Sequence, residues 1–196
     1  MDLTTLARVK THVASGEDLG TTHDAYLNGL IDLYSLQAED MMGRAVTTAT
    51  YTEYLDVEPG QHHFTLEAYP VTTMSAVYHD TSRDFDVTAI DTDNYTTYTG
   101  TGEIVIDKYS LTPGPRVLKV VYLGGMATGA STFVTSYPDI ANAIDMQVAY
   151  HFSRRSSLGR SGESLGPNQI SFTQDVNWLP GAKSVLMRHR RFTFGR

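Results

Sequence analysis

The run YPDIANAIDMQVAYHFSRR, residues 137–155, limits the fold more than any other part of the chain. Pro138 suits the first turn of a helix, where its missing N–H costs nothing, and Asp139 suits the positive N-terminal end. Ile140, Ile144, Val148 and Phe152 recur every four residues and sweep one stripe, with Tyr137 and Ala141 inside it. Ala143, Met146 and Tyr150 form a second apolar strip on another side. A helix that is apolar on two sides needs two partners. One core can supply both, or one can be a neighbouring subunit.

The remaining helices show the same tendency. Residues 22–43 read as a longer helix capped by Thr21 or Thr22, with Asp24 in the first turn and Gly43 as the stop. Leu27, Leu30, Ile31, Tyr34, Ala38, Met41 and Met42 make its main stripe, while Tyr26, Leu33 and Leu36 lie on the far side. Residues 2–14 read as a short helix capped by Asp2 or Thr4, with Leu3, Leu6, Ala7 and Val13 on one side. Tyr26, Leu33, Leu36, Met146 and Tyr150 are therefore the candidate subunit-interface residues.

From Val46 the texture changes. The stretches 51–57, 62–68, 73–80, 85–90, 103–107 and 117–125 are short and rich in Thr, Val, Tyr and Ile. Turn residues such as Glu58-Pro59-Gly60, Gly100-Thr101-Gly102 and Pro113-Gly114-Pro115 separate them. This spacing predicts an antiparallel sheet folded as a small sandwich or barrel. Residues 124–133 read as a small-residue loop, and 156–169, rich in Ser and Gly, as an extended arm. Residues 171–179 read as a strand or extended segment, and Pro180 opens a last short helix whose cations gather at its C-terminal end.

Charge and composition narrow the function classes. Residues 1–150 carry 7 Lys and Arg against 20 Asp and Glu, whereas 151–196 carry 8 against 2. An acidic body argues against wrapping DNA, since phosphate binding needs clustered cations, and the basic end suggests a second kind of partner. Cysteine is absent, which excludes disulfides and thiolate metal sites. There is no basic segment followed by an apolar block at the start, so no signal peptide is expected, and no apolar run is long enough to span a bilayer.

No catalytic, cofactor or metal site is expected from the motifs. His62 and His63 are adjacent on a strand and point to opposite faces, and His79-Asp80 and His151 have no matching spacing. Asp84, Asp86, Asp91 and Asp93 lack the glycine and terminal Glu of a calcium loop and read as edge charges. Gly100–Glu103 reads as a hairpin turn, and no Gly-x-Ser-x-Gly elbow is present. The densest basic cluster is Arg188-His189-Arg190-Arg191, with Trp178, Phe192 and Phe194 nearby. Arginines with aromatics have the composition of a docking hot spot.

Taken in order, these features resemble the head–tail connector (adaptor) family of tailed bacteriophages and gene transfer agents. The resemblance is carried by Leu-Thr-Thr-Leu-Ala-Arg-Val-Lys at 3–10, Leu27-x-x-Leu30-Ile31 and the helix end at Gly43-Arg44. It continues through Tyr69-Pro70-Val71, Ser75–Tyr78, Gly102–Ile106 and Val120–Gly125 to Pro138-Asp139-Ile140-x-x-Ala143-Ile144, then Glu163 and Arg190-Arg191. It implies an α+β protein: a bundle of three main helices (2–14, 22–43, 137–153) with an inserted antiparallel β region at about 46–125. Residues 1–155 would form the adaptor domain and 156–196 an extended C-terminal arm with a short terminal helix.

The implied role is a virion protein of the neck, made in the host cytoplasm. Copies would form a homo-oligomeric ring, typically a dodecamer, that docks on the portal protein and extends the channel for genomic DNA. The acidic body suits passage of DNA without sequence-specific binding, and a ring contact uses two different faces of one subunit. Trp178, Arg188, Arg190, Arg191, Phe192 and Phe194 would dock on the portal. Two alternatives are a stopper or tail-completion protein of the same neck and a β-rich module binding carbohydrate or a host surface. The single tryptophan, Trp178, lies outside the β region, which weakens the second.

Overall fold

The computed structural model describes residues 1–14, 19–155, 162–165, 168–171 and 178–191. Among the described residues there are five α-helices: α1 (Leu6–Val13), α2 (Asp24–Met42), α3 (Ala130–Ser136), α4 (Pro138–Ser153) and α5 (Pro180–Arg188). The strands are β1 (Ala49–Val57), β2 (His63–Thr65), β3 (Val71–His79), β4 (Tyr95–Tyr98), β5 (Glu103–Ile106), β6 (Gly114–Gly124), β7 (Gly162–Leu165) and β8 (Asn168–Ser171). The protein is thus a mixture of helix and antiparallel sheet. It divides into a helical unit, 1–42 with 129–190, and a β unit, 43–128 with 191–196.

The helical unit is built around α4. Ile140, Ile144, Val148 and Phe152 are all buried, as their four-residue spacing requires, with Ala141 and Ala143 beside them. Each such aliphatic or aromatic side chain contributes about 1.5–3 kcal/mol by leaving water. Helices α1, α2, α3 and α5 all pack on α4, and α2 also meets α1 and α5. The expected bundle of three helices is therefore too small. Helix α3 replaces part of the expected loop, and Pro180–Arg188, expected in an arm, buries Ala182 and Leu186 as part of this unit. The boundary expected at 155 does not coincide with this division.

One local expectation shifts. Thr5, not Asp2 or Thr4, precedes α1, which buries Val9, half-buries Leu6 and Val13 and leaves Ala7 exposed. Helix α2 buries Leu27, Leu30, Ile31, Tyr34, Ser35, Ala38 and Met42, and Gly43 ends it at φ 61°, the left-handed conformation that favours glycine.

In the β unit, two three-stranded antiparallel sheets, ordered β1-β6-β3 and β2-β5-β4, contribute side chains to one core. Strand β6 is central, pairing Leu118 with Leu55 and Val120 with Val77. Its inward residues Leu118, Val120 and Tyr122 meet Phe64, Ile104 and Ile106 from the second sheet in that core. Gly124 and Gly125 explain the close of β6: a Cβ on either would collide with backbone, of Ala68 and Thr47 respectively.

The expected strand at 85–90 is absent and β4 takes its place. The Asp80 carboxylate accepts from the Ser82 N–H (2.8 Å), the Ser82 hydroxyl (2.7 Å) and the Phe85 N–H (2.8 Å). This turn holds Arg83 and Phe85 at φ 65° and 55°, which breaks extended backbone. Within the stretch expected as an extended arm, β7 and β8 pair antiparallel from Gly162–Ser171 to Leu165–Asn168.

Candidate assembly surfaces

The buried face of α2 leaves an opposite face exposed. Tyr26, Leu33 and Leu36 on α2, Met146 on α4 and Met187 on α5 are between 40% and 60% exposed. Tyr26, Gly29, Leu33 and Leu36 follow a 3-4-3 spacing, which places them in one seam along the helix. Nothing lies within 4 Å of a Cβ built on Gly29, so the seam has a notch near its middle. Tyr150 differs from the other candidate interface residues. It is half-buried, and its ring and hydroxyl take the Arg154 guanidinium.

The candidate docking residues separate. The Trp178 Nε1–H donates to Gln37 Oε1 at 3.1 Å, and its ring meets Tyr34 edge-on at 5.3 Å. The next residue, Leu179, donates its N–H to the buried Gln147 side chain at 2.8 Å. These bonds hold Trp178 half-buried within the helical unit. Arg188 and Arg190 are exposed. Arg191 belongs to the β unit, where it donates to the Thr65 carbonyl at 2.8 Å. Phe192 and Phe194 lie outside the described residues, as do the remaining parts of the expected arm, 156–161, 166–167 and 172–177.

The charges on these surfaces sort by helix. Asp32 and Asp40 are exposed on α2. Burial, together with the Asp32 carboxyl that hydrogen-bonds to it, pushes the Asp2 carboxyl above its ordinary pKa. Lys183, Arg188 and Arg190 are exposed on and just after α5. At the base of α5, His189 Nε2 lies 2.7 Å from Asp139 Oδ2. Burial alone would raise the Asp139 carboxyl, but the bond and charge of His189 outweigh it and hold the carboxyl low.

One buried polar cluster escaped the sequence reading. Asp145 of α4 is fully buried, accepts from the Thr4 hydroxyl and pairs with the Arg8 guanidinium at 2.8 Å. A carboxylate in the middle of an apolar helix was the available signal, since a buried charge needs a partner. The exposed Met187 and Lys183 were likewise missed.

Among the described residues, no group of three or more His, Asp or Glu side chains converges as metal ligands would. His62 Nδ1 faces the Ile106 carbonyl at 2.8 Å while His63 Nδ1 faces Glu103 at 3.0 Å, so the two rings are directed to different partners. No described helix is long and apolar enough to cross a membrane. A cleft of about 660 Å³ in the β unit is lined by Tyr54, Asp56, Glu58, His63, Glu103 and Arg191 among others.

No protein-family model matches the chain, and no curated protein matches it in sequence. Solved structures do match in fold. A chain from the neck of an empty gene transfer agent particle, computed with C6 symmetry, aligns with TM-score 0.61 and 18% identity over 97% of this chain and 91% of that one. A chain of the native gene transfer agent virion aligns at 0.59 and 17% identity over 100% and 97%. One from the native particle's neck, computed with C12 symmetry, aligns at 0.55 and 17% identity over 97% and 91%. At these identities the likeness is one of fold.

Proposed function

We propose that this protein is a structural subunit of a virion neck, a head–tail connector of the adaptor kind that assembles as a ring beneath the portal and lengthens the DNA channel. The observation that carries this reading is a fold shared over nearly the whole chain with proteins from the necks of gene transfer agent particles. The cyclic symmetry of those particles supports a ring, of twelve copies in the adaptor reading. The exposed seam on α2 supports it independently, because contiguous exposed apolar surface marks an interaction site. An acidic chain, net −7, suits a channel wall that lets DNA pass without holding it.

Within this reading Arg188 and Arg190 are free to meet another protein, whereas Trp178 and Arg191 serve the fold of their own units. The stopper or tail-completion role shares the ring but meets the tail side. Native mass spectrometry and negative-stain imaging, with and without the portal protein of the same particle, test the proposal. Rings that bind portal are the expected result. A chain that stays monomeric and ignores portal overturns it, and rings that bind only tail proteins assign the stopper role.

A further inference from the structure

Resting on the ring reading above, we infer that the outer face of α2 in one copy packs on the outer face of α5 in the next, with Asp32 and Asp40 receiving Lys183 and Arg190 across the contact. The two rows match in pattern. On α2, Asp32, Leu36 and Asp40 are all exposed and four residues apart. At a rise of about 1.5 Å per residue they span about 12 Å. On α5, Lys183 and Met187 are exposed and four apart, and Arg190 continues the turn through its N–H bond to the Met187 carbonyl at 3.3 Å. Lys183 and Met187 are about 6 Å apart by the same rise, and Arg190 follows one turn further on. Anion–apolar–anion thus faces cation–apolar–cation at nearly equal spacing.

The charges are also available. Arg8 pairs with Asp145, Lys10 with Asp24, Arg154 with Tyr150, and Arg155 with the Phe152 carbonyl. Among the described residues, the side chains of Lys183, Arg188 and Arg190 bond to none, and neither does that of Asp40. Asp32 has the Asp2 carboxyl beside it, an arrangement that a cation would relieve. Among the described residues of the helical unit, the charged side chains left without a bond are therefore Asp40 on α2 and Lys183, Arg188 and Arg190 on and just after α5, one sign at each place.

That sorting selects the occupant. Two α2 faces cannot pair with each other, since their carboxylates would be juxtaposed, and two α5 faces would oppose their cations. Only α2 against α5 satisfies both, which is a contact between unlike faces. Such a contact repeats from copy to copy and is the kind from which a cyclic ring is built.

The test uses full-length chains in two charge-reversed variants, Asp32→Lys with Asp40→Lys and Lys183→Glu with Arg190→Glu. All substituted positions are exposed, and melts followed by circular dichroism establish that both variants fold. Native mass spectrometry should show each variant alone with its ring population reduced at least about tenfold. Mixed in equal amounts the two should form rings again, because alternating copies restore every α2–α5 contact. Rings that persist in either variant alone, or a mixture that stays monomeric, overturn the pairing while leaving the ring reading intact. An α5 variant that forms rings but no longer captures portal assigns the cation row to portal and also overturns it. A wild-type chain that never assembles defeats the ring reading and this pairing with it.

Discussion

Arg8 and Asp145, 137 residues apart in sequence, form a double contact: Nε lies 3.0 Å and one terminal nitrogen 2.8 Å from Oδ2 of the wholly buried carboxylate. The Thr4 hydroxyl donates to the other oxygen, and His12 Nδ1 stands 3.8 Å away. The pair fastens the first helix to α4, the helix on which the unit is built. Its value lies in being complete, because a buried carboxylate stripped of its cation keeps the full desolvation cost.

Arg8→Ala is therefore expected to destabilise the helical unit by about 3 kcal/mol, the cost of leaving a buried charge unpaired. Removing both charges, as Arg8→Met with Asp145→Leu, should cost distinctly less than Arg8→Ala. Urea unfolding of the three proteins measures this. Equal losses in the single and double variants would mean that the pair contributes by packing and not by charge.

Trp178, expected at a docking surface, is held by Gln37 and Tyr34. Trp178→Ala should lower stability by about 2 kcal/mol, less than the loss for a fully buried tryptophan because this ring is half-buried. Gln37→Leu removes only the acceptor and should cost about 1 kcal/mol. Thermal melts of the two variants separate these values. Unchanged melts with lost portal binding would return Trp178 to the docking set.

The legible parts of this fold were those with a strict period. The four-residue rhythm of Ile140, Ile144, Val148 and Phe152 gave α4, and Gly43 marked the end of α2. What escaped depended on contacts between distant residues. Strand β4, Tyr95–Tyr98, alternates only half-buried and exposed residues, so no apolar rhythm announces it. The stretch 85–90 has strand composition but is broken by the Asp80 turn, which propensity does not register. Helix α5 was recognisable, but its inner face offers only Ala182 and Leu186, too little to show that it packs on α4. For the assembly surfaces, α2's outer stripe was readable from spacing, whereas the partners that leave Arg190 free and engage Arg191 required coordinates.

The Asp80 turn should respond to acid. Hydrogen bonds from the Ser82 hydroxyl and N–H, with further backbone N–H groups, hold this carboxyl below its unfolded value of 3.8. Between the two values the unfolded chain binds more protons than the folded one. The contribution is thus present above 3.8 and lost as pH falls through the folded value. Asp80→Asn should lower the melting temperature at neutral pH, and the gap to wild type should close in acid. A gap that is independent of pH would mean that the side chain acts only through its shape.

Tyr122 lies at the centre of the β unit, stacked 5.9 Å from Tyr51 with its hydroxyl donating to Glu53 and accepting from the Ala68 N–H at 2.9 Å. Tyr122→Phe leaves that N–H without its acceptor and should cost about 2 kcal/mol. Burial, and then the bond to Glu53, raise the folded pKa far above the ordinary 10.0, so the native hydroxyl keeps its proton where an unfolded tyrosine has lost it. Stability from this group is therefore complete below 10.0 and declines as pH rises beyond it, by up to about 1.4 kcal/mol per pH unit. Phenylalanine has no proton to lose, so the penalty of the substitution should shrink above that pH. Urea unfolding of both proteins at neutral and alkaline pH measures the change. A constant penalty would show that the hydroxyl ionises as readily in the folded protein as in the unfolded chain.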